Sequence, residues 1–265
     1  MYYLKKLLDF YIQSSIHVGL AVFSLVYLTS FNNDLCKHIT YPCCVFFGTI
    51  LGYNFLKYFE IFRKGKFHSL KYYGIVMVCF LAVFGFYFFF IRMINSIKIQ
   101  LIIGGLMVLL YPLFRKHGII KMFWVSFVVA YLTDFVFTSA VPNFKGILLL
   151  EFMKRFVLIS ALIIPFEIYD SQHDDKTLNT LPQKFGIKTA KKTGYILLFL
   201  FIVLDVLSFH FNDIIRIQYL YADITIALVT GLAVYFSSVK RNQYYTSFWV
   251  ESIPILWLVL VMSFT

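Results

Sequence analysis

Stretches of about twenty mostly apolar residues recur nine times along the chain, at roughly 11–31, 41–62, 71–93, 97–113, 118–140, 147–170, 190–210, 217–238 and 244–264. A helix rises about 1.5 Å per residue, so each stretch is long enough to cross hydrocarbon about 30 Å thick. The runs are continuous rather than alternating, and open sheet edges do not survive in lipid, so the spanning elements must be helices. The expected fold is all-α: a polytopic membrane protein, a nine-transmembrane-helix bundle forming one domain over residues 1–265. Composition agrees. Apolar and aromatic residues make up 60% of the chain, charged residues 14%, and mean hydropathy is +0.79. So few charges cannot cover a soluble globule of this size, which excludes a cytosolic enzyme, a disordered chain and a secreted disulfide scaffold. The four cysteines, Cys36, Cys43, Cys44 and Cys79, have no zinc spacing and read as small packing residues.

The net charge is +11, and its placement tests the span count. Sixteen Lys and Arg fall on the side that holds the N-terminus and the loops after spans 2, 4, 6 and 8; five fall on the other side. Basic residues accumulate on the cytoplasmic side of membrane proteins, so the N-terminus is expected in the cytoplasm and the C-terminus outside, in a cell inner membrane. The positive charge therefore points to membrane lipid and not to nucleic acid. No small-residue cleavage pattern follows the first apolar run, so no removable signal is expected. The two longest connections, 63–70 and 171–189, both fall on the cytoplasmic side, and the second is the one sizeable polar stretch of the chain. A long polar loop on a bundle with otherwise tight turns is where function is expected.

Thirteen acids are few enough to place singly. Asp205 and Asp223 fall near the outer ends of their spans and read as solvated at the interface. Asp134 is expected to pair with Arg155 or Lys154, because an unpaired charge in lipid is expensive. Glu151 and Arg155, spaced i,i+4, could also pair. Glu251 has no evident partner. Glu60, Glu167, Asp170, Asp174 and Asp175 map to the cytoplasmic ends of spans 2 and 6. The spacing of Glu167, Asp170 and Asp174 puts three carboxylates along one helical face. Hard divalent cations take such oxygen ligands, and Mg²⁺ commonly bridges one or two carboxylates and a substrate phosphate. Lys57, Arg63, Lys64 and Lys121 lie near enough to line the site and neutralise a diphosphate.

The segment Glu167 to Gly186, E-I-Y-D-S-Q-H-D-D-K-T-L-N-T-L-P-Q-K-F-G, carries a D-x-x-x-D pair, a T-L-P segment and a glycine. With nine helices and acidic junctions at about 54–70 and 167–189, the chain resembles the UbiA-type intramembrane prenyltransferases. That resemblance implies Mg²⁺ held by Asp170 and Asp174, with Glu167 and Glu60 as further ligands. It also implies a polyprenyl diphosphate whose prenyl group is moved to a hydrophobic or aromatic acceptor, as in quinone or lipid synthesis. The family's first motif, N-x-x-x-D-x-x-x-D, is altered: Asn54 is present, but Tyr58 and Phe62 stand at the two Asp positions. Asn54 would contact the diphosphate or a metal-bound water, and Tyr53, Tyr58 and Tyr169 would shelter the allylic cation. Two other readings stay open: a relative that binds a lipid diphosphate or a partner without turnover, and a small transporter whose Asp134, Asp205 and Glu251 would meet at the midplane. Nothing in the pattern sets an oligomeric state.

Overall fold

Lipid offers backbone amides no hydrogen-bond partner, so a chain this apolar must satisfy them within its own helices. In the computed structural model the described residues are 2–32, 39–64, 70–139, 148–172, 174–175, 178–211 and 217–264, without the side chains of Tyr2, Phe31, Asn32, Glu60, Phe62 and Leu70. They contain helices and no strand. In order these are α1 (Tyr2–Gln13), α2 (Ile16–Asn32), α3 (Thr40–Arg63), α4 (Leu70–Phe90), α5 (Asn95–Leu109), α6 (Tyr111–Phe114), α7 (Gly118–Ala130), α8 (Val136–Ser139), α9 (Leu148–Asp170), α10 (Leu181–Phe185), α11 (Ile187–Phe211), α12 (Ile217–Phe236) and α13 (Ile253–Phe264). A π-helical turn, Tyr131–Phe135, joins α7 to α8, and a second, Tyr245–Val250, leads into α13.

Six stretches are both long and apolar enough to cross a membrane: Lys71–Phe90, Asn95–Phe114, Gly118–Ser139, Ile187–Phe211, Ile217–Phe236 and Tyr245–Phe264. The bent pair α1–α2 makes a seventh. The expected nine also counts α3 and α9, which have 24 and 23 residues. Those two are long enough but less apolar, because they carry the polar side chains of the interior. The expected first span, 11–31, is corrected: Ser14 and Ser15 break it, α1 and α2 meet at a 57° bend, and Ser15 adopts φ +63°. Pro254 falls in the first turn of α13, where its missing N–H leaves no helical bond unmade.

The central helix is α9, packed on α7, α11 and α12. Its Leu158, Ala161 and Leu162 meet Leu25 and Leu28 of α2, Phe201 of α11, Ile226 of α12 and Trp257 of α13 in one buried cluster. A second cluster joins Val26 of α2, Tyr41, Cys44 and Val45 of α3, Val136, Phe137 of α8 and Phe152 of α9. By contrast α4 packs chiefly on α3 and turns Phe80, Phe84, Tyr87 and Phe88 outward. In lipid such exposure is no penalty, and cohesion comes from close packing and buried polar contacts rather than from the hydrophobic effect. Cys43, Cys44 and Cys79 are free thiols in packed positions, and Cys36 lies outside the described residues.

Candidate active site

At the end of the molecule richest in Lys and Arg, α9 runs out at Asp170, and its last turn continues as the Asp174 N–H donates to the Asp170 carbonyl at 2.8 Å. That bond keeps Asp174 close to the end of α9. From α7, the Lys121 ammonium lies 2.8 Å from Glu167 Oε1 and 3.7 Å from Asp174 Oδ2. These distances place Lys121 beside Glu167 and Asp174. Asp170 and Tyr169 are half-buried, Asp174 is 28% exposed and Glu167 only 4%.

The loop that carries Asp174 is built from the T-L-P-Q segment. The Thr180 N–H donates to Gln183 Oε1 at 3.1 Å, starting α10. The Gln183 amide nitrogen then lies 3.4 Å from each of the carbonyls of Ser171, Asp174 and Asp175, tying the loop to the end of α9. Gly186, at φ +84°, turns the chain from α10 into α11, a conformation that favours glycine. Gly118 opens α7 against the same loop: a Cβ there would lie 2.4 Å from the Leu178 carbonyl oxygen. That close approach sets Lys121, one turn later, beside the acids.

Helix α3 faces this cluster with a stripe other than the one the motif register predicts. Asn54 is 3% exposed and its amide is engaged at the α1–α2 bend: Ser15 Oγ donates to Asn54 Oδ1 at 2.7 Å, and Asn54 Nδ2 donates to the Ser14 carbonyl at 2.9 Å. The Tyr58 hydroxyl donates to the Gln13 carbonyl at 2.8 Å on that same side. The predicted diphosphate contacts Asn54 and Tyr58 thus serve to pin the bend. Tyr53 and Lys57, one residue earlier and also spaced i,i+4, are exposed instead. The Tyr53 phenol is within electrostatic reach of Asp170, Tyr111 and Glu251. Tyr111 in turn neighbours Lys121, Glu167 and Asp174. Arg63 and Lys64 are exposed at the end of α3, and the Glu60 side chain lies outside the described residues.

Mg²⁺ fits part of the predicted ligand set. Asp170 and Asp174 supply two carboxylates at the end of α9, the donor type and number that Mg²⁺ uses beside phosphate and water. Of the other expected ligands, Glu167 is buried, with Oε1 paired to Lys121 and Oε2 without a hydrogen-bond partner among the described residues. Among the described residues no three His, Cys, Asp or Glu side chains converge at metal-binding distance.

A second polar network lies toward the opposite end and corrects three expectations. Lys154 pairs with Glu151 at 3.1 Å, Asp205 at 3.0 Å and Asp223 at 3.2 Å, and Trp257 Nε1 donates to Asp223 Oδ1 at 2.6 Å. Asp205 and Asp223 are 3% and 2% exposed, not solvated, because α11 and α12 turn those faces onto α9. Glu151 pairs with Lys154 rather than Arg155. Asp134 meets Arg155 through Thr29, whose hydroxyl lies 3.1 Å from Arg155 Nη2 and 3.3 Å from Asp134 Oδ1. Glu251 belongs elsewhere, facing Lys57, so the three acids of the transporter reading do not form one midplane cluster.

Sequence comparison and structural comparison differ in what they find. No protein-family model and no curated protein sequence matches the chain. Three solved structures match its fold over nearly their whole length. A UbiA homolog from Aeropyrum pernix K1 superposes with a TM-score of 0.68 at 14% identity, over 93% of this chain and 98% of that one. A structure described as giving structural and mechanistic insights into digeranylgeranylglyceryl phosphate synthase in membranes gives 0.60 at 18% identity, over 98% of both. A UbiA homolog from Archaeoglobus fulgidus gives 0.53 at 14%, over 96% and 94%.

Proposed function

We propose that this chain, which has the fold of the UbiA homologs, is an integral membrane prenyltransferase that moves a prenyl group from a polyprenyl diphosphate to a lipophilic acceptor. The observation that carries the reading is the cluster of Asp170, Asp174 and Lys121, held by the Gln183-braced loop and facing Tyr53 of α3. The likeness in fold to a digeranylgeranylglyceryl phosphate synthase supports it. Asp170 and Asp174 would hold Mg²⁺, which when bound neutralises charge on the departing diphosphate. Lys121 adds a fixed positive charge beside Asp174 and keeps the buried Glu167 neutralised. The allylic C–O bond breaks with its electron pair leaving on the diphosphate. Tyr53 offers an aromatic face to the carbocation, and the surrounding helices keep water from it.

The test is diphosphate release by purified protein given a panel of prenyl diphosphates and Mg²⁺, with and without candidate acceptors. Asp170→Asn is expected to reduce release at least 100-fold, on the scale of losing a preorganised electrostatic contact. Equal turnover by that variant would refute the role. A binder without turnover is the second reading, favoured because Tyr58 and Phe62 stand at the two Asp positions of the family's first motif. It predicts saturable binding of prenyl diphosphate by the wild type with no release at all.

A further inference from the structure

The end of α12 gathers two cations at the head of an apolar groove. Arg241 Nε donates to the Phe236 carbonyl at 2.9 Å, and Lys191 Nζ, from α11, donates to the Tyr235 carbonyl at 2.6 Å. Consecutive carbonyls at the C-terminus of α12 thus hold both side chains, where cations complement the helix dipole. That role leaves much of their donor capacity unused. Among the described residues nothing accepts from the two Nη groups of Arg241, and neither cation forms an ion pair with a described acid. No acid occurs in the sequence between Asp175 and Asp205, or between Asp223 and Glu251, while Lys184, Lys188, Lys192 and Lys240 add to the positive charge of these two stretches.

The groove lies between α12 and the helix formed by the second π turn and α13, and its volume is about 410 Å³. Val229, Leu232 and Phe236 form one wall, spaced so that they share a helical face; Trp249, Ile253 and Leu256 form the other. Leu232, Phe236 and Trp249 are exposed, so the groove opens on the flank that lipid covers. Tyr245 lines its head and donates its hydroxyl to the Ala233 carbonyl at 2.6 Å, pinning the π turn to α12. The Arg241 guanidinium lies 5.3 Å from the centre of the Tyr245 ring and 5.9 Å from that of Phe236. The charge therefore sits against the two rings at the head of the groove. A hydrocarbon chain on a smooth helical flank exchanges freely. One that enters a cleft below a gripped headgroup is held.

We propose that this groove is a binding site for an anionic phospholipid, with one acyl chain between α12 and α13 and the phosphate on Arg241 and Lys191. A guanidinium with free N–H groups suits a phosphate, and basic residues at the end of a span attract anionic lipid. A zwitterionic lipid offers the same phosphate but brings its own cation against Arg241 and Lys191, so it binds less well. The proposal goes beyond the prenyltransferase reading and does not rest on it: no residue of the groove belongs to the Asp170, Asp174 and Lys121 cluster.

The test is native mass spectrometry and thermal unfolding of the full-length protein in detergent. The probes are phosphatidylglycerol, phosphatidylcholine with the same acyl chains, and inorganic phosphate. The wild type is expected to retain phosphatidylglycerol in preference to phosphatidylcholine, and its midpoint is expected to rise, because a ligand that binds the folded state stabilises it. Arg241→Gln is expected to weaken retention about fivefold, the effect of one basic residue at a lipid surface. Arg241→Lys should recover part of it. Leu232→Trp, which fills the groove from an exposed position and leaves both cations in place, is expected to weaken retention as well. Lys116→Gln, an exposed cation at the end of α6, should leave it unchanged. Should Arg241→Gln fail to fold, Lys191→Gln takes its place. Equal retention of the two lipids by the wild type overturns the proposal. So does unchanged retention in Arg241→Gln or in Leu232→Trp, an equal loss in Lys116→Gln, or the same rise in midpoint with inorganic phosphate.

Discussion

Single charged residues in this molecule are decided by whether a partner reaches them. Lys154 is the clearest case: it is 4% exposed and carries three carboxylates from α9, α11 and α12. Removing the cation leaves those acids buried without a counter-charge, and breaking a buried pair from one side costs about 3–5 kcal/mol. Lys154→Met is therefore expected to lower the thermal midpoint sharply in detergent, while the diphosphate site at the other end keeps its geometry. An unaltered midpoint would show that the acids are protonated and held by other bonds. Glu167 and Lys121 differ in kind, since they brace a site; substituting either should reach activity as well as stability.

At the scale of elements, irregularities rather than regular helices place the chemistry. The α1–α2 bend is held by Asn54 and Tyr58, and Gly118 lets α7 meet the 178–179 loop. Adding acids at the motif positions tests this. Tyr58→Asp removes the bond to Gln13 and puts a carboxylate at a site 4% exposed, against a carbonyl. It is expected to destabilise the fold by about 1–3 kcal/mol, read by thermal unfolding, and not to raise turnover. A gain in activity would restore the motif register to α3. Gly118→Ala drives a methyl into backbone 2.4 Å away. A loss of about 1–3 kcal/mol is expected from such overpacking, with weaker Mg²⁺-dependent release as the loop shifts away from Lys121.

Over the whole molecule, polarity is divided between two ends. The basic end holds the Asp170, Asp174, Lys121 cluster, and the other holds the Lys154 network. Apolar side chains cover the flanks, as on α4 and on the outer side of α12, where Leu228, Leu232, Tyr235 and Phe236 are exposed. The distribution of Lys and Arg argues that the basic end faces the cytoplasm. In a cysteine-free background, Lys188→Cys is expected to resist a membrane-impermeant maleimide in intact cells and to react once the cells are opened. Labelling in intact cells would invert the topology.

The sequence by itself determined that the chain lives in lipid, that its spans are helices and that the acids gather at the end of α9 and in the loop after it. Each of these follows from local composition and spacing, which a helix converts directly into length and face. The D-x-x-x-D pair was legible for the same reason, since a one-turn separation is a property of one helix. What only the tertiary structure decided was which residues meet across helices. A one-residue shift on α3 rotates a side chain by about 100°, so Tyr53 and Lys57 face the site while Asn54 and Tyr58 face the bend. Asp205 and Asp223 read as solvated because their partner, Lys154, lies on a helix far away in sequence. Two π turns moved Asp134 and Glu251 out of the α-helical register that spacing assumes. In lipid nearly every face of a helix is apolar, so the pattern that marks a buried face in water is missing, and only packing shows which side turns inward.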